Sequence, residues 1–168
     1  AAALGRSYPG GLPAFVNAMN AKAQALGLTQ THYVDSSGLS PQNVSSPADL
    51  GKLVAAASNY DLIREYTTTS GVTVQLPDSR RKLSFVNTNA LVRHSDWKIG
   101  LSKTGYINEA GKCLVMQAMI ANQPVVIVLL DSWGRLTRVA DANRIRHWLE
   151  KNSAKLLASR TADASPAE

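Results

Sequence analysis

The sequence predicts an α+β fold in which an antiparallel sheet is covered by helices. Apolar residues recur at helical spacing in the first third of the chain. They follow strand-like patterns in residues 99–130 and return to helical spacing from Arg135 onward. Helices, then strands joined by short turns, then a closing helix indicate one α+β layer rather than alternating strand and helix units.

Two helices are predicted before residue 58. Residues 11–13 open the first and Gly27 ends it, with an apolar stripe of Phe15, Val16, Met19 and Ala23. Ser46 can cap the second helix, and Pro47 suits its first turn. The Asp49 side chain can accept a reciprocal hydrogen bond from the Ser46 N–H. Each helix therefore presents one apolar face to a common core.

The passage between these helices, residues 29–45, is polar and predicts a loop in which Asp35 and the small residues after it form a turn. A short helix is predicted at 60–66 and a strand at 72–76. Further strands are predicted at 99–106, 113–120 and 125–130, followed by an amphipathic helix that can pack across the sheet. The short turn at 121–124 makes the last two strands a hairpin.

The 168 residues suit one domain, which we expect to span 1–160 with a polar tail at 161–168. Hydrophobic residues make up 45% of the chain and charged residues 18%, which is typical of globular proteins. No apolar run reaches the roughly 18 residues of a membrane-spanning helix. The first six residues lack the pattern of a signal peptide and predict the end of a helix that began upstream.

Eighteen Lys and Arg against twelve Asp and Glu give a net charge of +6, which favours an acidic partner or surface. The basic residues are scattered without an aromatic-rich basic strand, so nucleic-acid binding is not expected. The single Cys113 lies in an apolar run and is predicted to be buried and inert. Neither a metal nor a cofactor is expected, because His32, His94 and His147 lack the spacing of zinc ligands.

The tripeptide Lys103-Thr104-Gly105 lies on the predicted strand before the hairpin. Alone it is weak evidence, because such a match arises by chance with a frequency on the order of a few per cent. A cationic Lys beside a hydroxyl can bind a substrate carboxylate, and Gly permits close approach of a ligand to the strand. A strand edge of this kind can also accept an extended peptide by backbone pairing.

Longer blocks of sequence, in order over about residues 1–150, decide the interpretation. They are Phe15–Ala23, Leu26–Leu28, Thr31–Val34, Ser37–Leu39 and Lys103–Leu114. Together they resemble the low-molecular-mass penicillin-binding proteins, the D-alanyl-D-alanine peptidases of serine peptidase family S11. The hairpin leads directly into a terminal helix, which is most similar to the murein endopeptidase members.

The resemblance implies a β-lactamase/transpeptidase-like fold and a role for each residue of the motif. Lys103 would shape the electrostatics and proton network around a serine, and Thr104 would bind a terminal D-Ala carboxylate beside Gly105. The backbone N–H of Tyr106 would provide half of an oxyanion hole. Arg138 lies where the family has a second carboxylate-binding cation and is expected to project toward the same cleft from the terminal helix, although an ordinary surface Arg is the competing interpretation.

The chain departs from the family in lacking a Ser-x-Asn element and an upstream helix with a nucleophile. It is therefore interpreted as the carboxy-terminal portion of a catalytic domain that is inactive alone. Ser79-Arg80-Arg81-Lys82 fits the Ser-x-x-Lys pattern formally. It lies in a charged loop and follows the helices that it should precede. We therefore interpret it as a decoy, meaning a chance match to the motif without a catalytic role.

The resemblance implies a periplasmic serine DD-peptidase that cleaves D-Ala-containing peptidoglycan peptides through an acyl-serine and is acylated by β-lactams. The net charge of +6 suits peripheral association with an anionic membrane or wall surface. The alternative is a non-catalytic peptidoglycan-binding module that kept the carboxylate-binding strand. A Ser-x-x-Lys helix upstream of Ala1 would favour the enzyme.

Overall fold

The computed structural model of the chain describes residues 1–76, 80–134 and 136–163. Its helices are α1 (Ala2–Arg6), α2 (Gly11–Ala25), α3 (Pro47–Ala57), α4 (Asp61–Thr68) and α5 (Thr137–Asp163), with a 3-10 helix at Ala90–Arg93. Its strands are β1 (Gly71–Gln75), β2 (Lys82–Val86), β3 (Lys98–Ile107), β4 (Gly111–Ile120) and β5 (Gln123–Ser132). All strand pairs are antiparallel, which confirms the α+β class. No helix within these ranges is both long and apolar enough to cross a membrane.

The start of α3 confirms the predicted cap by Ser46. It does not show, within the described residues, the reciprocal hydrogen bond that was predicted from the Ser46 N–H to the Asp49 side chain. The Ser46 side chain accepts a hydrogen bond from the Asp49 N–H at 3.2 Å, and Pro47 occupies the first turn. In the described contacts, the buried Asp49 carboxylate accepts hydrogen bonds from the Gln30 N–H at 2.7 Å and the Thr31 hydroxyl at 2.8 Å. Asp49 therefore fastens the loop after α2 to the start of α3.

Strands β3, β4 and β5 form the main sheet, with β4 in the middle and β3 at one edge. The predicted hairpin joins β4 to β5, but its turn is shorter than predicted because Gln123 and Pro124 already pair with β4. The two turn residues, Ala121 and Asn122, have φ angles of 49° and 60°. A two-residue turn with both φ angles positive matches the right-handed twist of the flanking strands.

The core lies between one face of this sheet and α5. Every second side chain of β4 points into it, and each is at most 2% exposed: Leu114, Met116, Ala118 and Ile120. From α5, the residues that pack against them are Val139, Ala142, Ile145 and Leu149. Burying one Leu or Met side chain contributes about 1.5–3 kcal/mol, so this contact holds α5 firmly on that face.

Cys113 is half-buried and lies outside the core, so the prediction of a buried thiol is wrong. Successive side chains of a strand alternate between faces, which turns Cys113 and Val115 away from α5. The Cys113 thiol lies 3.3 Å from the carbonyl of Ala110. An unbroken apolar run hides the alternation, because both faces of β4 are apolar although only one is covered by α5.

Strands β1 and β2 pair as a separate two-stranded sheet. β1 matches the predicted strand at 72–76, whereas β2 was not predicted. Four of the five β2 residues are exposed, so no buried face marked it in the sequence. Ser79, in the connection between these strands, lies outside the described residues, and its interpretation as a decoy stays a prediction.

Candidate active site

An open cavity of about 490 Å³ lies between the loop after α2 and the face of the main sheet opposite α5. The sheet lines it with Lys103, Gly105, Cys113 and Val115, and the loop lines it with Tyr33, Pro41, Asn43 and Val44. Residues 103–106 lie in β3, and β4 is the antiparallel neighbour. The structure therefore confirms that the Lys-Thr-Gly segment is a strand that lines a cleft.

Lys103 carries the positive charge at this cavity. It pairs with Val115 across the two strands, and cross-strand partners project from the same face of a sheet. Its ammonium donates a hydrogen bond to the Thr104 carbonyl, and none of the ion pairs among the described residues includes it. An ammonium has three donors, so Lys103 keeps donors for an acidic or carbonyl ligand.

The outer edge of β3 is unpaired by any described strand. The Ser102 N–H donates away from β4, to the Thr67 hydroxyl at 3.4 Å. Backbone groups of alternate residues in an antiparallel strand point to the same edge, so those of Thr104 and Tyr106 also point outward. The N–H that the resemblance assigns to an oxyanion hole therefore faces the open edge.

Gly105 is not required by the packing of the sheet. A Cβ atom built there would meet only the Cys113 Cβ at 3.8 Å, which is an ordinary van der Waals contact. A side chain at this position would instead project over the cavity. The absence of a side chain at Gly105 therefore keeps the strand accessible to a ligand.

Polar side chains that the sequence analysis missed hold β3 in place. The Thr88 and Thr104 hydroxyls lie 2.7 Å apart. Asn89 is 3% exposed and donates to the Ser102 hydroxyl at 2.9 Å, while its side-chain oxygen accepts from the Leu91 N–H at 3.1 Å. Asn89 precedes the 3-10 helix as its cap, and a capping Asn before Ala-Leu was the signal available in the sequence.

Arg138 lies in the first turn of α5, on the face opposite the cavity. Its Nη1 donates to the Cys113 carbonyl at 2.7 Å, and Cys113 is the register partner of Gly105. Thr104 projects from the same face as Leu114, on which α5 packs. Arg138 does not line the cavity, so the expectation that it projects toward this cleft is wrong, although its guanidinium keeps donors beyond the contact with Cys113.

Asp35 holds the loop that faces β3. Its carboxylate accepts hydrogen bonds from the N–H groups of Ser37, Gly38 and Ser40 and from the Asn43 amide at 3.0 Å. Burial acts to raise the pKa of Asp35, but the hydrogen bonds outweigh it and lower the pKa well below its usual range. The predicted turn is confirmed, and it positions Asn43 in the cavity wall.

Two further contacts anchor the same loop. The Asn20 side chain of α2 makes two hydrogen bonds with the backbone of Tyr33, at 2.8 and 2.9 Å. His32 and Val44 exchange two backbone hydrogen bonds at 2.9 and 3.0 Å, which closes the base of the loop. The wall opposite β3 is thus attached to α2 at Tyr33 and closed on itself at the neighbouring His32–Val44 pair.

These groups can bind and polarise a carbonyl or a carboxylate. Lys103 and Arg138 provide cations, Thr104 a hydroxyl, and Tyr106 an outward N–H. None of these four residues is an activated nucleophile. Within the described part of the chain, no three His, Cys, Asp or Glu side chains come together to hold a metal ion.

Comparison with known sequences agrees with the predicted resemblance. The D-alanyl-D-alanine carboxypeptidase family model, peptidase S11, matches residues 1–134. Over 150 residues the chain is 49% identical to a D-alanyl-D-alanine endopeptidase of Pseudomonas aeruginosa and 47% identical to one of Escherichia coli. Each match covers 89% of this chain and 48% of the relative, so the chain spans about half the length of these relatives.

A solved structure agrees with the predicted fold. The crystal structure of the Streptomyces K15 DD-transpeptidase matches the chain with a TM-score of 0.77 at 29% identity. The match covers 86% of this chain and 59% of that chain. The β-lactamase/transpeptidase-like fold is therefore confirmed. Because the family model covers most of the sequence, the chain belongs to the D-alanyl-D-alanine carboxypeptidase family, peptidase family S11.

Proposed function

We propose that this chain is the carboxy-terminal portion, in residues 1–160, of the catalytic domain of a periplasmic serine DD-peptidase. The longer protein cleaves D-Ala-containing peptidoglycan peptides through an acyl-serine. The observation that carries this proposal is the position of Lys103 at a cavity beside the open edge of β3. The nucleophilic Ser and its Lys lie in the half of the protein that the relatives have beyond this chain.

The substrate peptide pairs in extended form with the outer edge of β3. The backbone groups of Thr104 and Tyr106 provide the donors and acceptors, and Gly105 leaves room for the peptide. The Thr104 hydroxyl and the remaining donors of Arg138 bind the carboxylate of the residue after the scissile bond. This arrangement places the D-Ala carbonyl close to the Tyr106 N–H.

The reaction is an acyl transfer to serine followed by hydrolysis. The serine oxygen attacks the D-Ala carbonyl carbon, and its proton passes through the basic Lys to the amine that leaves as the C–N bond breaks. The Tyr106 N–H donates to the developing oxyanion, while Lys103 stabilises negative charge near the serine. Water then cleaves the ester, and a β-lactam acylates the same serine.

The location and charge of the protein follow from this substrate. Peptidoglycan lies in the periplasm of bacteria with two membranes, where we place the protein. The net charge of +6 supports peripheral attraction to the anionic wall or membrane surface. This attraction weakens as salt screens the surface charges.

Labelled penicillin followed by denaturing electrophoresis tests the proposal. We expect no stable label on the 168-residue chain and one label per molecule on the longer protein, confirmed by an intact mass increased by the mass of the drug. No label on either would favour the non-catalytic peptidoglycan-binding module. Label on the isolated chain that Ser79→Ala removes would show that Ser79 is a nucleophile and not a decoy.

A further inference from the structure

Trp133 is the most exposed of the large apolar side chains that the structure describes, at 95%. It follows β5 in a turn whose backbone is held on both sides. The Trp133 carbonyl accepts a hydrogen bond from the Lys112 ammonium at 3.3 Å, and the Gly134 N–H donates to the Thr137 hydroxyl at 3.1 Å. An indole that extends into solvent from a fixed backbone is suited to contact with a ligand.

Lys112 connects Trp133 with a second exposed aromatic residue, Tyr106, which is 60% exposed. Lys112 and Tyr106 are register partners, and the ammonium lies 5.0 Å from the centroid of the Tyr106 ring. The Tyr106 hydroxyl donates to the Asn108 side chain at 2.8 Å, which fixes the ring. Tyr106, Lys112 and Trp133 together are called the aromatic patch below.

The aromatic patch lies next to the residues proposed to bind the substrate carboxylate. Tyr106 and Thr104 project from the same face of β3, because they are two positions apart. Trp133 follows Ser132, which pairs with Lys112 on β4, so its backbone lies about two strand spacings, or 10 Å, from β3. A ligand that passes the carboxylate site can therefore continue over Tyr106 and Lys112 to Trp133.

The chemistry of the leaving group requires a surface in this place. When a D-Ala carboxypeptidase acts, the leaving group is a single D-Ala. When a peptide cross-link is cleaved, the leaving group carries a second stem peptide attached to its own amino-sugar strand. That second strand must lie beyond the group that binds the leaving residue's carboxylate, and the aromatic patch adjoins that group because Tyr106 lies two positions after Thr104 on the same face of β3.

We propose that the aromatic patch is the subsite for this second wall strand. An amino-sugar ring stacks on the Trp133 indole, because the weakly positive C–H face of a sugar packs on the negative face of an aromatic ring. The Lys112 ammonium binds an acidic group of the same strand. This subsite deepens the proposed peptidase function and rests on it.

A sugar strand fits the patch better than a membrane surface. The patch offers one exposed indole, and the backbone carbonyl of the same Trp133 accepts a hydrogen bond from the Lys112 ammonium. Shallow insertion into a membrane uses a broad apolar face along a helix, and α5 instead packs its apolar residues on the sheet.

The first test measures binding without hydrolysis. The 168-residue chain is titrated with peptide-free murein glycan strands while the indole N–H resonances are followed. We expect the Trp133 signal to shift, Trp133→Ala to weaken binding at least about tenfold, and Lys112→Gln to reduce its salt dependence. The matched control Trp148→Leu, a 56% exposed Trp on α5, leaves binding unchanged.

An unshifted Trp133 signal, or equal binding by Trp133→Ala, overturns the subsite. Anionic phospholipid vesicles are the comparison ligand. Binding of the vesicles through Trp133 without binding of the glycan would show that the patch is a membrane contact. Poor quenching of Trp133 by acrylamide in the longer protein would show that another part of that protein covers the patch, which also overturns the proposal.

The second test separates the subsite from the peptidase function. In the longer protein, Trp133→Ala should raise KM for cross-linked, glycan-bearing fragments and leave kcat unchanged. Hydrolysis of a small peptide ending in D-Ala-D-Ala should not change. Equal effects on both substrates contradict the subsite. Absence of hydrolysis in the unaltered protein contradicts the peptidase function, while the glycan titration still decides the subsite.

Discussion

Gly105 is expected to matter for ligand access to the cavity and not for folding. A Cβ atom there meets only the Cys113 Cβ at 3.8 Å, but it projects over the cavity. We therefore expect Gly105→Ala to slow penicillin acylation of the longer protein at least about tenfold through steric exclusion. The unfolding free energy of the 168-residue chain should change by less than about 0.5 kcal/mol in urea titrations.

Gly111→Ala is the matched control for this substitution. Gly111 has a φ of 62°, and an added Cβ would lie 2.9 Å from the Cα of Asp131. Backbone strain and this collision should destabilise the chain by about 2 kcal/mol or more. Loss of stability in Gly105→Ala comparable to that in Gly111→Ala would show that Gly105 is a structural residue.

Asp35 predicts a pH dependence of stability. Its folded pKa lies below the ordinary value of 3.8, because hydrogen bonds from Ser40, Ser37 and Gly38 outweigh the effect of burial. A group with a depressed folded pKa stabilises above its unfolded pKa and loses that contribution as the pH falls below it. Asp35→Asn should cost about 1–2 kcal/mol at pH 7 and less near pH 2, where part of the contribution is already lost, by urea unfolding at both pH values.

Asp61→Asn is the control for a carboxylate at an exposed position. The Asp61 side chain is 88% exposed and forms an ion pair with Arg64 on α4. Exposed pairs of this kind contribute at most about 0.5 kcal/mol. If Asp35→Asn and Asp61→Asn have the same effect at both pH values, the hydrogen bonds of Asp35 do not stabilise the loop.

The turn between β4 and β5 sets the register of the hairpin. Asn122 has a φ of 60°, a conformation that Asn tolerates and Gly adopts without steric cost, whereas Ala, as at Ala121 with its φ of 49°, adopts it at a steric cost. We expect Asn122→Ala to destabilise the chain by about 0.5–1 kcal/mol and Asn122→Gly to be close to neutral. Thermal and urea unfolding of both variants measure the difference, and an equal loss in both would argue against the observed turn geometry.

At the level of elements, the sequence predicted those that bury one face. The β3–β4–β5 sheet and α5 were predicted because their apolar periodicity reflects packing on a common core. β2 escaped prediction because four of its five residues are exposed. The apolar run at Cys113 predicted burial on both faces of β4, although the second face lines a cavity.

The placement of Lys103 and Thr104 at the candidate site was predicted, but the position of Arg138 and the supporting contacts were not. Lys103 and Thr104 belong to a motif that a single strand carries, so local sequence was enough. Asn89, Thr88 and Thr67 reach β3 from distant parts of the chain, and no local pattern reports such contacts. Short polar side chains that bond to backbone are common in loops for other reasons, which hides this role.

In the whole molecule, the two faces of one sheet differ in what covers them. α5 buries one face, whereas the other face is lined by α3 and the loop after α2 and keeps an open cavity beside Lys103. The chain spans about half the length of its relatives. Under the proposed function, a serine that acts with Lys103 approaches this cavity, so we expect the segment that carries it to cover the same face in the longer protein.

Cys113 is a probe for this covering, because it lines the cavity and is the chain's single cysteine. A half-buried thiol at an open cavity reacts with iodoacetamide, and a covering segment excludes the reagent. We expect alkylation of Cys113 to be at least about tenfold slower in the longer protein than in the 168-residue chain. Mass spectrometry of the peptide that contains Cys113 measures both rates, with urea-unfolded samples as the control for equal intrinsic reactivity. Equal rates in the folded proteins would mean that the cavity stays open in the longer protein, and the serine would then have to reach Lys103 from the outer edge of β3.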